Sequence, residues 1–213
     1  MRVAILISGK GTNANALLSA MADDSFPATA ALLLSNKPNA EGLALGSTYG
    51  VPTEVVDHKD FDDRDSFEEK LHETLKDNDV ELVCLAGFMR LLNPSFVNRW
   101  RDRMINIHPS LLPSYKGLDT HERALEDGVK ITGCTVHFVR PEMDSGPIIG
   151  QAAVPVLGDD TPETLAQRIQ AAEHVLFPNC LKLVAEKRVR IKDKVALVDG
   201  SEPVVQTLYS PSA

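Results

Sequence analysis

The stretch Val3-Ala4-Ile5-Leu6-Ile7-Ser8-Gly9-Lys10-Gly11-Thr12-Asn13-Ala14 decides the fold. Val3 to Ile7 runs without a polar break, which suits a strand buried on both faces, as in a parallel sheet covered by helices. The run stops at Ser8-Gly9. From Asn13 to Met21 the apolar residues Ala14, Leu17, Leu18 and Met21 recur at helical spacing. Strand, glycine turn and helix in that order open a βα unit. The glycines let the chain turn sharply and bring backbone N–H groups close to an anion at the helix N-terminus. Gly9-x-Gly11-x-x-Ala14 also has the spacing of a dinucleotide fingerprint, which needs an acid about 20 residues further on. The next apolar run, Ala30 to Leu34, ends instead in Ser35-Asn36-Lys37. A phosphate-like anion therefore fits the turn better than a nicotinamide dinucleotide, and a tight turn without any ligand is the plainer alternative.

Working outward, a helical stretch covers Ala40 to Tyr49 and a short strand Thr53 to Val56. Arg64 to Lys76 reads as an amphipathic helix with Phe67, Leu71 and Leu75 inward. Leu82 to Ala86 is a strongly apolar strand that closes on Gly87. Pro94 to Trp100 is a short helix with proline in its first turn, and Met104 to Ile107 is a strand running into His108-Pro109. The alternation predicts an α/β fold, Rossmann-like, with a mostly parallel twisted sheet flanked by helices. After about residue 130 the pattern changes. Thr132 to Val139 and Ile148 to Val156 are neighbouring, antiparallel strands, and a long helix follows from Pro162 to Ala185. Val189 to Ile191 and Val195 to Val198 are short strands. A single domain is expected over 1–200, with a nucleotide-binding half at about 1–100, and 201–213 is read as a mobile tail.

Bulk properties narrow the function. The 213 residues are 43% hydrophobic and 24% charged, ordinary for a globular protein with a real core. Twenty-two basic residues against 30 acidic ones give a formal charge of −8, which disfavours nucleic acid and anionic membranes as partners. Cys84, Cys134 and Cys180 are odd in number, widely spaced and set among apolar neighbours, so buried free thiols are expected rather than a disulfide framework or zinc site. The first apolar run is too short to span a membrane and lacks a cleavage pattern. A cytoplasmic location is expected.

Asn106 and His108 lie two apart at the end of a strand, so their side chains share a face. That end belongs to the C-terminal edge of the sheet, where ligands of open α/β folds collect. Asp144 lies far away in sequence, in the turn-forming Glu142-Met143-Asp144-Ser145-Gly146-Pro147. Taken singly, His108 is an ordinary hydrogen-bonded histidine and Asp144 an ordinary turn residue. Spacing alone does not bring 144 back to 108.

Four blocks taken together carry more. Leu6-Ile7-Ser8-Gly9-Lys10-Gly11-Thr12-Asn13, Leu85-Ala86-Gly87-Phe88-Met89-Arg90, Asn106-Ile107-His108-Pro109-Ser110-Leu111-Leu112-Pro113 and Asp144-Ser145-Gly146-Pro147 resemble the glycinamide ribonucleotide formyltransferases, within the folate-dependent formyltransferases. The likeness covers nearly the whole chain, in order and at matching spacings. It implies transfer of a formyl group from 10-formyltetrahydrofolate to the amine of glycinamide ribonucleotide in purine synthesis, with no metal. By resemblance, Asn106 donates to the oxygen of a tetrahedral intermediate and His108 stabilises it and moves protons. Asp144 orients the histidine and favours its protonated form. Gly11, Thr12, Asn13 and Glu173 hold the ribonucleotide. Arg64, Met89, Arg90, Leu91, Leu92, Arg140, Pro141, Glu142 and Met143 join Asn106 and Asp144 around the folate, in a folate and catalytic half at about 101–200. Lys10, Thr12 and Ser145 stand where the family often has Asn, Ser and Gly, and all three keep polar character. Partners are the two substrates, and the chain is expected as a monomer or weak homodimer.

His121 follows a loop near this set, with N-cap chemistry at Thr120 as its plain account. His137 alternates along its strand and either faces the site or bonds within the core. His58, His72 and His174 are read as surface or packing residues. Another formyltransferase or a hydrolase using the same donor is the nearest alternative function. A nicotinamide-dependent oxidoreductase and a non-catalytic binding module are further off.

Overall fold

In the computed structural model, which describes residues 1–200 and 208–210, the glycine turn is the hub of a seven-stranded sheet of order β3-β2-β1-β4-β5-β6-β7. The strands are β1 (Arg2–Ile7), β2 (Thr29–Ser35), β3 (Thr53–Val55), β4 (Leu82–Leu85), β5 (Met104–His108), β6 (Ile131–Phe138) and β7 (Ile148–Pro155). The first five run parallel; β6 is antiparallel to both β5 and β7. A separate hairpin pairs β8 (Val189–Lys192) with β9 (Val195–Val198). The fold class read from the sequence is the one observed. The expected mobile tail falls, apart from 208–210, outside the described residues.

The reason is in the strand composition. On one face Ala4, Leu6, Leu32, Leu34, Val83, Leu85 and Met104 pack with Phe67, Leu71 and Leu75 of α3 (Arg64–Asp77), and with Phe96 of α4 (Pro94–Arg99) and Trp100 just after it. On the other, Val3, Ile5, Ile7, Leu33, Cys84, Ile105 and Ile107 pack with α1 (Thr12–Met21) and α6 (Pro162–Ala185). Runs apolar at every position are what burial on both faces requires. Because Ile105 and Ile107 take one face of β5, Asn106 and His108 are turned to the other.

Several boundaries differ from the sequence reading. The stretch 40–49 is a 3₁₀ turn at Glu41–Leu43 followed by α2 (Ala44–Tyr49). A further 3₁₀ turn, His58–Asp60, and helix α5 (Thr120–Glu126) carry no strong apolar period and escaped the pattern. Thr120 is the first residue of α5 rather than its cap. Asp119 holds the cap position with left-handed backbone and makes no side-chain bond to the helix. On α6 the cap is Thr161, whose side chain accepts from the Thr164 N–H while Thr164 returns a bond to the Thr161 N–H. Cys84, Cys134 and Cys180 are buried free thiols, as expected.

Candidate active site

The turn Gly9–Asn13 crosses close to the segment that opens the first 3₁₀ turn. Gly42 N–H donates to Gly9 O at 3.0 Å, and Gly11 takes left-handed backbone (φ 72°) as the cap of α1. A β-carbon on Gly42 would lie 2.7 Å from Ile7 Cδ1 and 3.0 Å from Gly11 Cα, so this approach needs glycine. The first turn of α1 contains no acid. Its backbone donors therefore face a region favourable to an anion. Asn13 Nδ2 donates to Glu173 Oε2 at 2.8 Å, and Asn13 Oδ1 is buried without a partner. Thr12 Oγ1 accepts from Gln170 Nε2 at 3.1 Å. Through these bonds α6 closes on the turn, Glu173 meeting Asn13 and Gln170 meeting Thr12, next to Gly11. Burial pushes the Glu173 carboxyl above the usual carboxylate range, opposed by the bond from Asn13.

The segment 87–93 leaves β4 at the same edge and is tied at both ends. Met89 N–H donates to Ser8 Oγ at 2.8 Å, and Asn93 N–H donates to the buried carboxylate of Glu68 at 2.7 Å. Ser8 in turn donates to Asn36, which is fully buried at the end of β2. Along this segment Met89 and Leu91 stand 66% and 65% exposed and form an apolar lip. Arg90 and Leu92 are partly buried beside them. Arg64 sits at the exposed start of α3 and donates to Asn93 Oδ1 at 3.1 Å, so it props the far end of this segment. Arg140 pairs with Asp102 at 2.6 Å, and Pro141, Glu142 and Met143 lead from it to the turn that carries Asp144.

Asn106, His108 and Asp144 meet here. Asp144 has left-handed backbone (φ 49°) in the β6–β7 turn, which swings its carboxylate over the end of β5. Its Oδ2 lies 3.6 Å from His108 Nδ1 and accepts from Gly117 N–H at 2.8 Å. Its Oδ1 lies 3.8 Å from His137 Nε2. Both histidine separations exceed hydrogen-bond length. His108 Nε2 is 2.8 Å from Tyr115 O, and because a carbonyl only accepts, that nitrogen carries a proton. The ring is thus oriented by the Tyr115 carbonyl, and not by Asp144 alone as the sequence reading has it. Nδ1 is left facing the carboxylate across a gap.

His137 is the residue that pattern reading left open. It lies directly opposite Asn106 in the β5–β6 register. Its Nδ1 donates to Phe138 O at 2.9 Å, which leaves Nε2 as the acceptor, and burial holds its pKa below the usual histidine range. Asn106 Nδ2 donates to that Nε2 at 3.3 Å. A neutral His137 therefore fixes which end of the Asn106 amide points where, with one N–H still free. Thr135, opposite His108, was also missed. It donates to Ser110 O at 2.7 Å and accepts from Leu112 N–H, so it anchors the start of the loop after β5. Period-two alternation on β6 signals both side chains, but not what they touch. His121 Nε2 is buried without a partner, and burial lowers its pKa. His58 Nδ1 lies 2.9 Å from Asn36 O and His72 packs edge-on to Trp100, so both are packing residues. Among the described residues no grouping of three or more His, Cys, Asp or Glu is placed to hold a metal ion.

A family model described as formyl transferase matches residues 1–181. The chain is 49% identical over 191 residues to the trifunctional purine biosynthetic protein adenosine-3 of Gallus gallus, covering 90% of this chain and 19% of that protein. It thus spans under a fifth of the length of such trifunctional relatives. It is 38% identical over 200 residues to the phosphoribosylglycinamide formyltransferase of Escherichia coli (strain K12), covering 94% of each. Among solved structures, the phosphoribosylglycinamide formyltransferase of Anaplasma phagocytophilum superposes with TM-score 0.88 at 46% identity, covering 95% of this chain and 96% of that one. The glycinamide ribonucleotide transformylase 1 of Symbiobacterium toebii gives TM-score 0.91 at 43% identity, covering 93% of each.

Proposed function

Since the chain belongs to the phosphoribosylglycinamide formyltransferase family, we propose that it moves the formyl group of 10-formyltetrahydrofolate to the amine of glycinamide ribonucleotide, in purine synthesis. The observation that carries this reading is the meeting of Asn106, His108 and Asp144 at the edge where the glycine turn and the Met89–Leu92 lip also lie.

The chemistry follows from what each group has left to give. The amine nitrogen forms a bond to the formyl carbon, the carbonyl pair moves to oxygen, and collapse breaks the bond to the folate nitrogen. The free N–H of Asn106 faces the charge that develops on oxygen, and His108 adds to it as an imidazolium, with Nδ1 as well as Nε2 protonated. Asp144, open on the His108 side, accepts the proton that the amine must lose, and the leaving nitrogen takes one back. His108 Nε2, held by Tyr115, stays out of the transfer. Gly11, Thr12, Asn13 and Glu173 hold the ribonucleotide. Met89, Arg90, Leu91, Leu92 and the segment Arg140–Met143 enclose the folate, with Arg64 at its outer end. Action as a monomer or weak homodimer belongs to this proposal. A cytoplasmic place of action is part of the same proposal.

An absorbance assay with a 10-formylfolate donor and glycinamide ribonucleotide tests it. Transfer is expected, and Asp144→Asn and His108→Ala should each lower kcat by about 10²–10⁴ with the fold intact by circular dichroism. No transfer by the folded protein, or near-normal turnover in either variant, would overturn the assignment. Donor loss that needs no amine would point to the hydrolase alternative.

A further inference from the structure

The loop between β5 and α5 alternates three left-handed residues in five positions: Tyr115 (φ 53°), Gly117 (φ 80°) and Asp119 (φ 54°). Two of them have side chains, for which this backbone is disfavoured, so the loop must be held by something outside itself. It also carries the two backbone groups on which the candidate site depends. Tyr115 O receives His108 Nε2–H and Gly117 N–H donates to Asp144 Oδ2, both at 2.8 Å. The spacing of His108 and Asp144 is therefore the spacing of a carbonyl and an amide two residues apart on one strained loop.

Arg123, in the first turns of α5, grips that loop from outside. Its Nη1 donates to Lys116 O at 2.7 Å and to Leu118 O at 3.2 Å, the carbonyls on either side of Gly117. Its guanidinium carbon lies 5.4 Å over the Tyr115 ring, and the Tyr115 hydroxyl donates to Asp127 at the end of the same helix. One planar cation thus pins the backbone flanking Gly117 and the side chain of Tyr115 together. It touches neither Asn106, His108 nor Asp144.

We propose that Arg123 is a positioning residue for the His108–Asp144 pair, acting through the backbone of residues 115–118; this rests on the formyl-transfer reading above. Lysine could reach one of the two carbonyls but offers no plane to stack on Tyr115, so it should replace arginine only in part.

Four proteins decide it: the wild type, Arg123→Ala, Arg123→Lys and, for assignment, His108→Gln. In the formyl-transfer assay Arg123→Ala should lower kcat at least about tenfold, as expected when a reacting group is displaced by a fraction of an ångström. The KM of both substrates should stay within about threefold, and Arg123→Lys should recover part of kcat. A readout apart from turnover is the His108 Nε2–H resonance in proton NMR, assigned by its loss in His108→Gln. It should exchange slowly in the wild type and fast in Arg123→Ala. The inference falls if Arg123→Ala keeps kcat within twofold, if its kcat loss merely follows a loss of folded protein on melting, or if the His108 signal stays protected. A wild type without transfer activity but with the expected NMR difference would sink the functional reading while leaving the positioning role standing.

Discussion

At the scale of single residues, the site works by deciding which atom of each ambiguous side chain faces inward. Asn106 can present either end of its amide, and the lone pair of His137 Nε2 selects the nitrogen. His137 can do this only while neutral, which its burial favours. Replacing His137 by leucine, of similar bulk and no acceptor, should lower kcat by about 10–100-fold. That is less than the 10²–10³ typical for deleting an oxyanion donor outright, with little change in KM. Steady-state kinetics check this, and an unchanged kcat would mean that Asn106 is held by something else. The sequence marked Asn106 and His108 as sharing a face, because strand alternation is local. It did not mark the role of His137, which depends on the register between two strands.

Elements set the next level. The end of the site proposed for the ribonucleotide lies where β1, α1 and the segment before α2 approach more closely than side chains would allow. Gly42 is the contact point, with Gly11 Cα and Gly9 O each 3.0 Å from where a β-carbon would sit. Gly42→Ala must push the turn away from the edge of the sheet. We expect the KM for the ribonucleotide to rise at least about tenfold, the scale of one or two displaced hydrogen bonds, while the KM for the folate donor changes little. Equal effects on both substrates would count against the separation of the two subsites. The helix α5 is the opposite case. It is short, only partly buried and weakly patterned, so the sequence marked no more than a cap at Thr120, yet it carries Arg123 and with it the loop beside His108.

On the scale of the whole molecule, α6 returns late in the chain to close the first βα turn, with Glu173 on Asn13 and Gln170 on Thr12. Burial raises its pKa, so the folded state resists its ionised form. The sign follows by linkage: its contribution to stability is fullest below its unfolded pKa of about 4.3 and declines as pH rises through the higher folded value. Glu173→Gln keeps an acceptor for Asn13 and removes the charge. Its melting temperature should exceed that of the wild type at pH 7.5 and converge with it below about pH 4, while its KM for the ribonucleotide rises. A variant less stable than the wild type at pH 7.5 would contradict the burial argument. Glu173 also marks how far reading the chain could go. Runs buried on two faces, a glycine turn and a 24-residue amphipathic helix are written in local patterns, so strands, helices and sheet class were legible from them. Motif resemblance added the names of Asn106, His108 and Asp144. That Asp144 and Gly117 meet beside His108, that Glu173 reaches Asn13 across 160 residues, and that the Tyr115 carbonyl accepts the His108 Nε2–H were decided only in three dimensions. The physical reason is that backbone propensity and apolar periodicity act over a few neighbours. The partner of a polar side chain is whatever group packing brings within 3 Å or so.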